Sequence, residues 1–443
     1  MIGCFAAFLV GVIAVLALGR NLLWAIFWGL ALFFLLGLRR GHSSAELWKM
    51  AWKKGRESLI VVPVFLMIGT VTALWRASGT ISFFLYYGLR GIHPACFLLT
   101  VFLLSAILSF ALGTSYGVCG TAGVVLMALA RGGGVQTALA AGAVLSGAYF
   151  GDRCSPMSSC AMLVAACTGT ELYKNVREML RTAALPTVLA VLFYAVLSGR
   201  HPIEKIDPRV LHAISTHFSM PWFVLLPAVF VLVLPLLRVP VKWALSASAL
   251  TAFCLSVFLQ HLPVLTVLRT ALLGYLPAAP ELCKILAGGG LVSMLSASTI
   301  VFVTSLYSGI LEGIDALSPA KETVDRLAEK IGLFPTAALV STVIVGVFCN
   351  QSVMVIMDEQ LLRGCYKKRG ASSMERAMDI ANSGVTLAGL VPWSIALTVP
   401  LTMLGADLSA VPYAVLLYFI PLCYLFTRKF FLPAQRAGMR ARS

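Results

Sequence analysis

The chain has 443 residues, 59% of them hydrophobic and only 12% charged, with a mean hydropathy of +0.92 and a formal net charge of +16. A soluble domain carries about 25% charged residues, so this composition excludes an ordinary soluble protein and describes one that crosses a membrane many times. The positive charge does not point to nucleic acid, because it gathers in short segments between apolar runs, as the positive-inside bias produces.

The first two apolar runs, "FAAFLVGVIAVLALG" and "LLWAIFWGLALFFLLGL", predict two uncleaved membrane helices. No basic residue opens the first, as a secretory signal would require, and the second follows at once. Arg39, Arg40, Lys49, Lys53, Lys54 and Arg56 then crowd one loop. Arg363, Lys367, Lys368, Arg369 and Arg376 crowd another, and Arg428, Lys429, Arg436, Arg440 and Arg442 mark the tail. Two spans separate each terminus from its nearer basic loop, which places both termini and both loops on the cytoplasmic side. Roughly ten to thirteen spans are expected in all. Without a period-two pattern they are helices, so the expected fold class is an all-α polytopic membrane protein.

The stretch "GTSYGVCGTAG", Gly113–Gly123, interrupts an apolar run with four glycines and with Thr114, Ser115 and Thr121. It matches G-x-S-x-G, the nucleophile-elbow pattern. A serine hydrolase also needs a base beside Ser115, and the one histidine near a span, His93, stands at a helix start. An unwound segment offering backbone carbonyls fits better, and no enzyme is expected.

Next comes "LSGAYFGDRCSPMSSC", Leu145–Cys160. The apolar run before Asp152 looks too short to span and reads as one arm of a broken or re-entrant helix. Gly147 and Gly151 would loosen it, Pro156 would stop it, and Ser155, Ser158 and Ser159 would supply oxygens. Non-helical backbone survives at membrane depth only where protein or a water-filled cavity satisfies it. A hard cation wants carboxylate, hydroxyl and carbonyl ligands of this kind. The alternative is that Asp152 and Arg153 cap an interfacial helix end and neutralise each other.

Two polar stretches read as surface helices: "ELYKNVREMLR", lying at the interface, and "LSPAKETVDRLAEKIG", with Lys321, Asp325 and Glu329 at i, i+4 spacing. In the C-terminal half, "CNQSV" and "ANSGVTLAGLVPW" bring Asn350, Gln351, Asn382, Ser383 and Thr386 into apolar surroundings. Singly, each could be a helix–helix hydrogen bond, common in membrane bundles. As a group they form a candidate second half-site.

Of the 18 acids, Glu46, Glu57, Glu171, Glu178, Glu204, Asp207, Glu322, Asp325, Glu329, Glu375 and Asp379 read as loop residues. Glu281 and Asp407 fall at span ends. That leaves Asp152, Glu312 with Asp315, and Asp358 with Glu359. A charge in hydrocarbon costs about 2.5–3.5 kcal/mol even on insertion scales, so these are the functional candidates. Asp152 is the strongest, and Glu312 is a candidate proton carrier. The eleven cysteines form no C-x-x-C pair and the six histidines never pair at i, i+4, so neither a metal centre nor a cofactor is expected beyond a transported ion.

A weak repeat runs through the chain. "VTALW" at Val71 returns as "VTSLY" at Val303, an offset of 232 (303 − 71). Gly113 finds Gly346 at 233, Ser146-Gly147 finds Ser383-Gly384 at 237, and Pro156 finds Pro392 at 236. Two homologous halves are a common plan for secondary transporters, with the site where they meet. The expected division is 1–57, two membrane helices and a basic loop; 58–200, a first transport repeat; 201–283, connecting helices; 284–427, a second repeat; and 428–443, a basic tail.

"GTSYGVCGTAGVVLMALA", "SGAYFGDRCSPMSS", "GGGLVSMLSASTIVFVTSLYSGILEGIDAL" and "NSGVTLAGLVPW", spread from about Phe65 to Trp393, together resemble the NhaC-type sodium/proton antiporters of the wider ion-transporter superfamily. The resemblance implies inverted repeats in a bacterial cytoplasmic membrane, with sodium or lithium exchanged for protons as the transported ligands. It also implies that relatives on this fold carry organic acids or amino acids. A homodimer is compatible with it. The chain departs from the family where Ser159 and Asn382 stand in places that often hold acids. The expected ion or substrate ligands are Asp152, Thr114, Ser115, Ser155, Ser158, Ser159, Asn350, Gln351, Asn382, Ser383 and Thr386, with Asp152 and Glu312 as the proton carriers.

Overall fold

The computed structural model describes residues 2–59, 61–88, 93–203, 208–237, 239–316 and 320–431. Among these residues there is no strand, only one isolated bridge between Tyr275 and Gly288. Glu204, Asp207, Arg436, Arg440 and Arg442 lie outside the described residues. The protein is all-α and polytopic. Five helices are long and apolar enough to cross a membrane, or seven with each of two bent pairs counted as one span. Breaks divide several of the apolar runs into shorter pieces, which is why this count falls below the number of runs.

An apolar hairpin, α1 (Ile2–Ala17) and α2 (Leu23–Arg39), opens the chain. The basic segment after it is not a loop but α3 (Ser44–Ser58), begun by a capping box in which Ser43 and Glu46 satisfy each other's backbone N–H. Then follow α4 (Val62–Ala77), α5 (Phe97–Leu112), a helical segment 115–132 with one π turn, α6 (Thr137–Cys154) and α7 (Ser159–Thr168). "ELYKNVREMLR" is no separate interfacial helix: it forms the first turns of α8 (Leu172–Arg200), 29 residues long. After α9 (Val241–Phe258) come α10 (Leu295–Gly313), α11 (Leu333–Phe348), α12 (Gln351–Lys368) and α13 (Ser373–Asn382), then α14 (Ile395–Leu404) and α15 (Val415–Phe431).

Between membrane helices there is little hydrophobic driving force, so close van der Waals approach carries association. Gly147 and Gly151, one turn apart on α6, provide it. They do not loosen the helix, which is continuous to Cys154. A Cβ on Gly151 would lie 2.0 Å from the Ser109 carbonyl carbon of α5, and one on Gly147 would lie 2.5 Å from Ser105 Cβ. The Ser109 hydroxyl donates to the Ala148 carbonyl across the contact. Gly309 and Gly313 let α10 meet α3 in the same way, with Met50 filling the space.

The repeat is far more regular in the backbone than in the sequence. Both α5 and α11 have 16 residues, and both end on a left-handed residue, Gly113 (φ 68°) and Cys349 (φ 56°), 236 positions apart (349 − 113). Thr114 (φ −151°, ψ 129°) and Asn350 (φ −131°, ψ 122°) follow in extended conformation and cap the next helices. Segments 115–132 and 351–368 match end to end. So do α6 and Ser373–Leu390, then the extended turns at Ser155–Ser158 and Val391–Ser394. The figure closes with α7 and α14, 10 residues each, ending on left-handed Gly169 and Gly405 (405 − 169 = 236). Gly113 therefore corresponds to Cys349, not Gly346, and Ser146-Gly147 to Asn382-Ser383. One difference stands out: α6 runs through Gly147, whereas its counterpart breaks at Ser383 (φ −116°, ψ −83°).

Candidate functional site

Each break leaves the first N–H groups of a helix without partners, and the polar residues found there attend to them first. The Thr114 hydroxyl accepts from Gly117 N–H at 3.5 Å, and Ser158 from Cys160 and Ala161 at 3.1 and 3.2 Å. Asn350 Oδ1 accepts from Ser352 and Val353 at 2.9 and 3.2 Å, and Ser394 from Ala396 at 3.1 Å. These are N-caps in four repeat-related places. They converge on a cavity of about 500 Å³ lined by Thr114, Asp152 and Ser159 from one half and by Asn350, Gln351 and Ile395 from the other. Lys54 and Glu57 of α3 also line it.

Asp152 is the buried acid of this cavity, whereas Glu57 is exposed and paired with Lys54 at 3.1 Å. Asp152 is 6% exposed, and among the described residues its Oδ2 has no hydrogen-bond partner. Ser115, through its N–H and hydroxyl, and the Gln351 side chain lie against the carboxylate. These two residues hold the same place in the two repeats, the first residue after each cap (351 − 115 = 236). Gln351 is held in turn by donating to the Val385 carbonyl at 2.9 Å, and Ser158 donates to the Asp152 carbonyl.

Arg153 does not neutralise its neighbour. It points the other way, with Nε on the Ala381 carbonyl (3.1 Å), Nη1 on the Met179 carbonyl (3.2 Å), and Nη2 on Thr182 Oγ1 (2.8 Å) and on Asn382 Oδ1. No acid among the described residues pairs with it, and it is 1% exposed. The interfacial-cap alternative fails on both counts: the two side chains are apart and both are buried. What remains is a carboxylate with one free oxygen on a cavity edged by hydroxyl and amide groups. Such a group can hold a proton or a cation, and not both at once.

The structure gathers Thr114, Asp152, Ser159, Asn350 and Gln351 at the cavity, with Ser115 behind them. Ser155 and Ser158 stay in the turn, where Ser155 Oγ accepts from Met157 N–H at 3.1 Å. Asn382, Ser383 and Thr386 form a separate buried group. Ser383 donates to the Asp379 carbonyl at 2.6 Å and Thr386 to the Ser383 carbonyl at 2.9 Å. Glu312 is not a buried carrier: its side chain is 41% exposed and pairs with Lys54 at 3.4 Å.

Two buried acids fall where loops were expected. Asp379 is fully buried, holding Arg428 at 2.9 and 2.7 Å together with the hydroxyls of Tyr366 (2.6 Å) and Tyr424 (3.0 Å). Glu375 is 5% exposed and closes the capping box of α13. Arg428 is thus a helix residue locked to the core, not part of a free tail. No local pattern announces this: Tyr366, Asp379 and Arg428 lie on three helices. Asp358 is fully buried too.

The family model described as the Na+/H+ antiporter family matches residues 1–166 and 147–428. The chain belongs to that family. A malate-2H+/Na+-lactate antiporter of Bacillus subtilis is 27% identical over 401 residues, covering 89% of this chain and 85% of the relative. The Na+/H+ antiporter NhaC of Alkalihalophilus pseudofirmus is 26% identical, covering 82% of this chain and 80% of the relative. The arginine/ornithine antiporter ArcD of Halobacterium salinarum is also 26% identical, covering 90% and 85%. As a member of the Na+/H+ antiporter family, this chain is a multi-pass membrane transporter, and membership supports cation/proton antiport. Its relatives show that the same architecture serves other solutes.

Proposed function

We propose that the protein exchanges sodium or lithium for protons across a bacterial cytoplasmic membrane, by competition at Asp152. The observation that carries this reading is the free, buried Asp152 oxygen at the junction of two repeat-related breaks. With a proton on Asp152 the site rejects the cation. Without it, the carboxylate takes sodium, aided by Ser115, Ser159 and Gln351. Either form is neutral enough to cross between states as one repeat rocks against the other around the site. The repeats are residues 58–200 and 284–427, with 1–57 and 201–283 as flanking helices. The cavity edge at Lys54 and Glu57 lies on the basic helix α3, which supports a site open to the cytoplasm, with both termini on that side.

A second reading has one observation in its favour. A cavity of about 500 Å³ is in the range of small-molecule pockets, about 300–1,000 Å³, whereas one water occupies about 30 Å³ of liquid. With Lys54 on its wall it would admit a small organic acid or amino acid. Purified protein in liposomes with a lumenal pH dye separates the two. An imposed sodium gradient should move protons, and Asp152→Asn should abolish the response. Silence toward sodium in folded wild-type protein, with proton movement driven by an organic acid gradient instead, would replace the first reading with the second.

A further inference from the structure

Asp358 takes no part in the mechanism above. It lies on α12 seven residues after Gln351, about two turns or 10 Å further along the helix, and is fully buried. Its Oδ2 accepts from Ser341 Oγ of α11 at 2.5 Å, while among the described residues Oδ1 has no partner. Ser341 Oγ is 3.5 Å from Ser383 Oγ, at the helix break that only the second repeat contains.

Of the other buried acids on α12 and α13, Glu375 is held by the backbone of its capping box and two are matched by cations. Glu359 holds Arg376 at 2.5 Å and Asp379 holds Arg428 at 2.7 Å. Asp358 makes no ion pair among the described residues. Of the elements packed on α12, α7, α11 and Gly384–Leu387 carry no charged residue. On Lys321–Ile331, Asp325 and Glu329 are taken by Lys368 and Arg369, and Glu322 faces Arg326. The remaining charges of that helix, Lys321 and Lys330, and Glu375 of α13 form no ion pair with Asp358 among the described residues. An unmatched charge at this depth is costly, so the carboxyl rests with a proton and gives it up only when the junction around it changes.

The acid belongs to the second repeat alone. The position equivalent to Asp358 is Ala122 (358 − 236), and that of Ser341 is Ser105, whose hydroxyl is buried without a partner among the described residues. The first repeat places an alanine there, inside a π turn (Cys119–Gly123) that α12 does not share. Gln351 connects the two acids: it lies against Asp152 and donates to the Val385 carbonyl, two residues past Ser383. An ion arriving at Asp152 therefore bears, through Gln351, on the segment next to Ser383, whose hydroxyl neighbours the Ser341 that bonds Asp358.

We propose that Asp358, with Ser341 and Ser383, is a second proton-binding site that fills and empties in the same cycle as Asp152. Two protons then move against each sodium ion, and the exchange carries net charge. The proposal rests on the sodium/proton reading of Asp152. Calorimetric sodium titration of the full-length protein in detergent, repeated in buffers of different ionisation enthalpy, counts the protons released per ion bound. Wild type should release about two, and Asp358→Asn about one with sodium still bound. Equal release from both proteins overturns the proposal and leaves the Asp152 reading standing. Absence of sodium binding in wild type overturns both. Should Asp358→Asn not fold, the wild-type reversal voltage in liposomes decides, and a one-for-one exchange overturns the second site.

Discussion

Gly151→Ala distinguishes two roles for the glycines before Asp152 by the sign of its effect. If Gly151 merely loosened α6, alanine would stabilise the protein by about 0.5–1 kcal/mol, the usual helical preference over glycine. The structure predicts the opposite. The new Cβ would sit 2.0 Å from the Ser109 carbonyl carbon and 2.2 Å from Phe110 N, both backbone atoms that cannot rotate away. Reaching ordinary contact at 3.4 Å requires α5 and α6 to part by 1.4 Å (3.4 − 2.0). Overpacking of this kind costs about 1–3 kcal/mol, and the Ser109-to-Ala148 hydrogen bond adds about 0.6 kcal/mol if lost. Net of the helical gain, destabilisation of about 1–3 kcal/mol is expected. Gly364→Ala is the control: it lies in α12 with nothing within 4 Å of its Cβ, so it should gain about 0.5–1 kcal/mol. Thermal unfolding in detergent, followed by a thiol dye on the buried cysteines, reads both. A Gly151→Ala protein as stable as wild type, beside a stabilised Gly364→Ala, would refute the close-packing argument.

Arg428→Gln leaves Asp379 buried beside two tyrosine hydroxyls alone and should cost about 3–5 kcal/mol, as breaking a buried ion pair does; adding Asp379→Asn should restore most of it in a double-mutant cycle. Ser159→Cys places a thiol on the cavity wall, so a small water-soluble thiol reagent should label it above the wild-type background and more slowly in sodium. Equal labelling with and without sodium would detach Ser159 from the ion site. Glu312→Gln removes one exposed partner of Lys54, worth about 1 kcal/mol at most, and should leave proton-coupled transport intact. Loss of coupling with normal folding would return Glu312 to the proton path.

Composition alone makes the membrane class legible, and "GDRCSPMSS" locates the break correctly because proline cannot continue a helix and disfavours helical backbone before it. The same stretch misleads on glycine. A sequence cannot say whether Gly147 and Gly151 face open space or the backbone of α5. Polar side chains stand out in the right places, but what they do first is invisible until the breaks are seen, since Asn350 and Ser158 are caps before they are anything else. Asp379 reads as a loop residue because it follows a basic segment, whereas its burial by Tyr366, Tyr424 and Arg428 is a property of three helices meeting. The repeat is legible only as scattered offsets between 232 and 237, because what the halves share is the position of caps and left-handed residues, which different side chains can supply.

Those different side chains are where the two halves part company. Gly113 and Cys349 hold the same left-handed conformation, yet only the first is confined: a Cβ there would meet the Met157 backbone at 2.4 Å. At Cys349 the thiol has room and accepts from the Tyr307 hydroxyl at 3.0 Å. The acids follow the same logic. Asp152 has Ala388 as its counterpart, and Asp358 has Ala122, so each repeat carries one unmatched carboxyl at a place the other repeat leaves apolar. Symmetric acids would double the number of buried carboxyls, and nearby like charges disfavour each other's ionisation. Placing them at non-equivalent positions separates the charges while Gln351 still touches the segment between them. The symmetric part of the molecule provides the breaks, and the asymmetric part decides what binds in them.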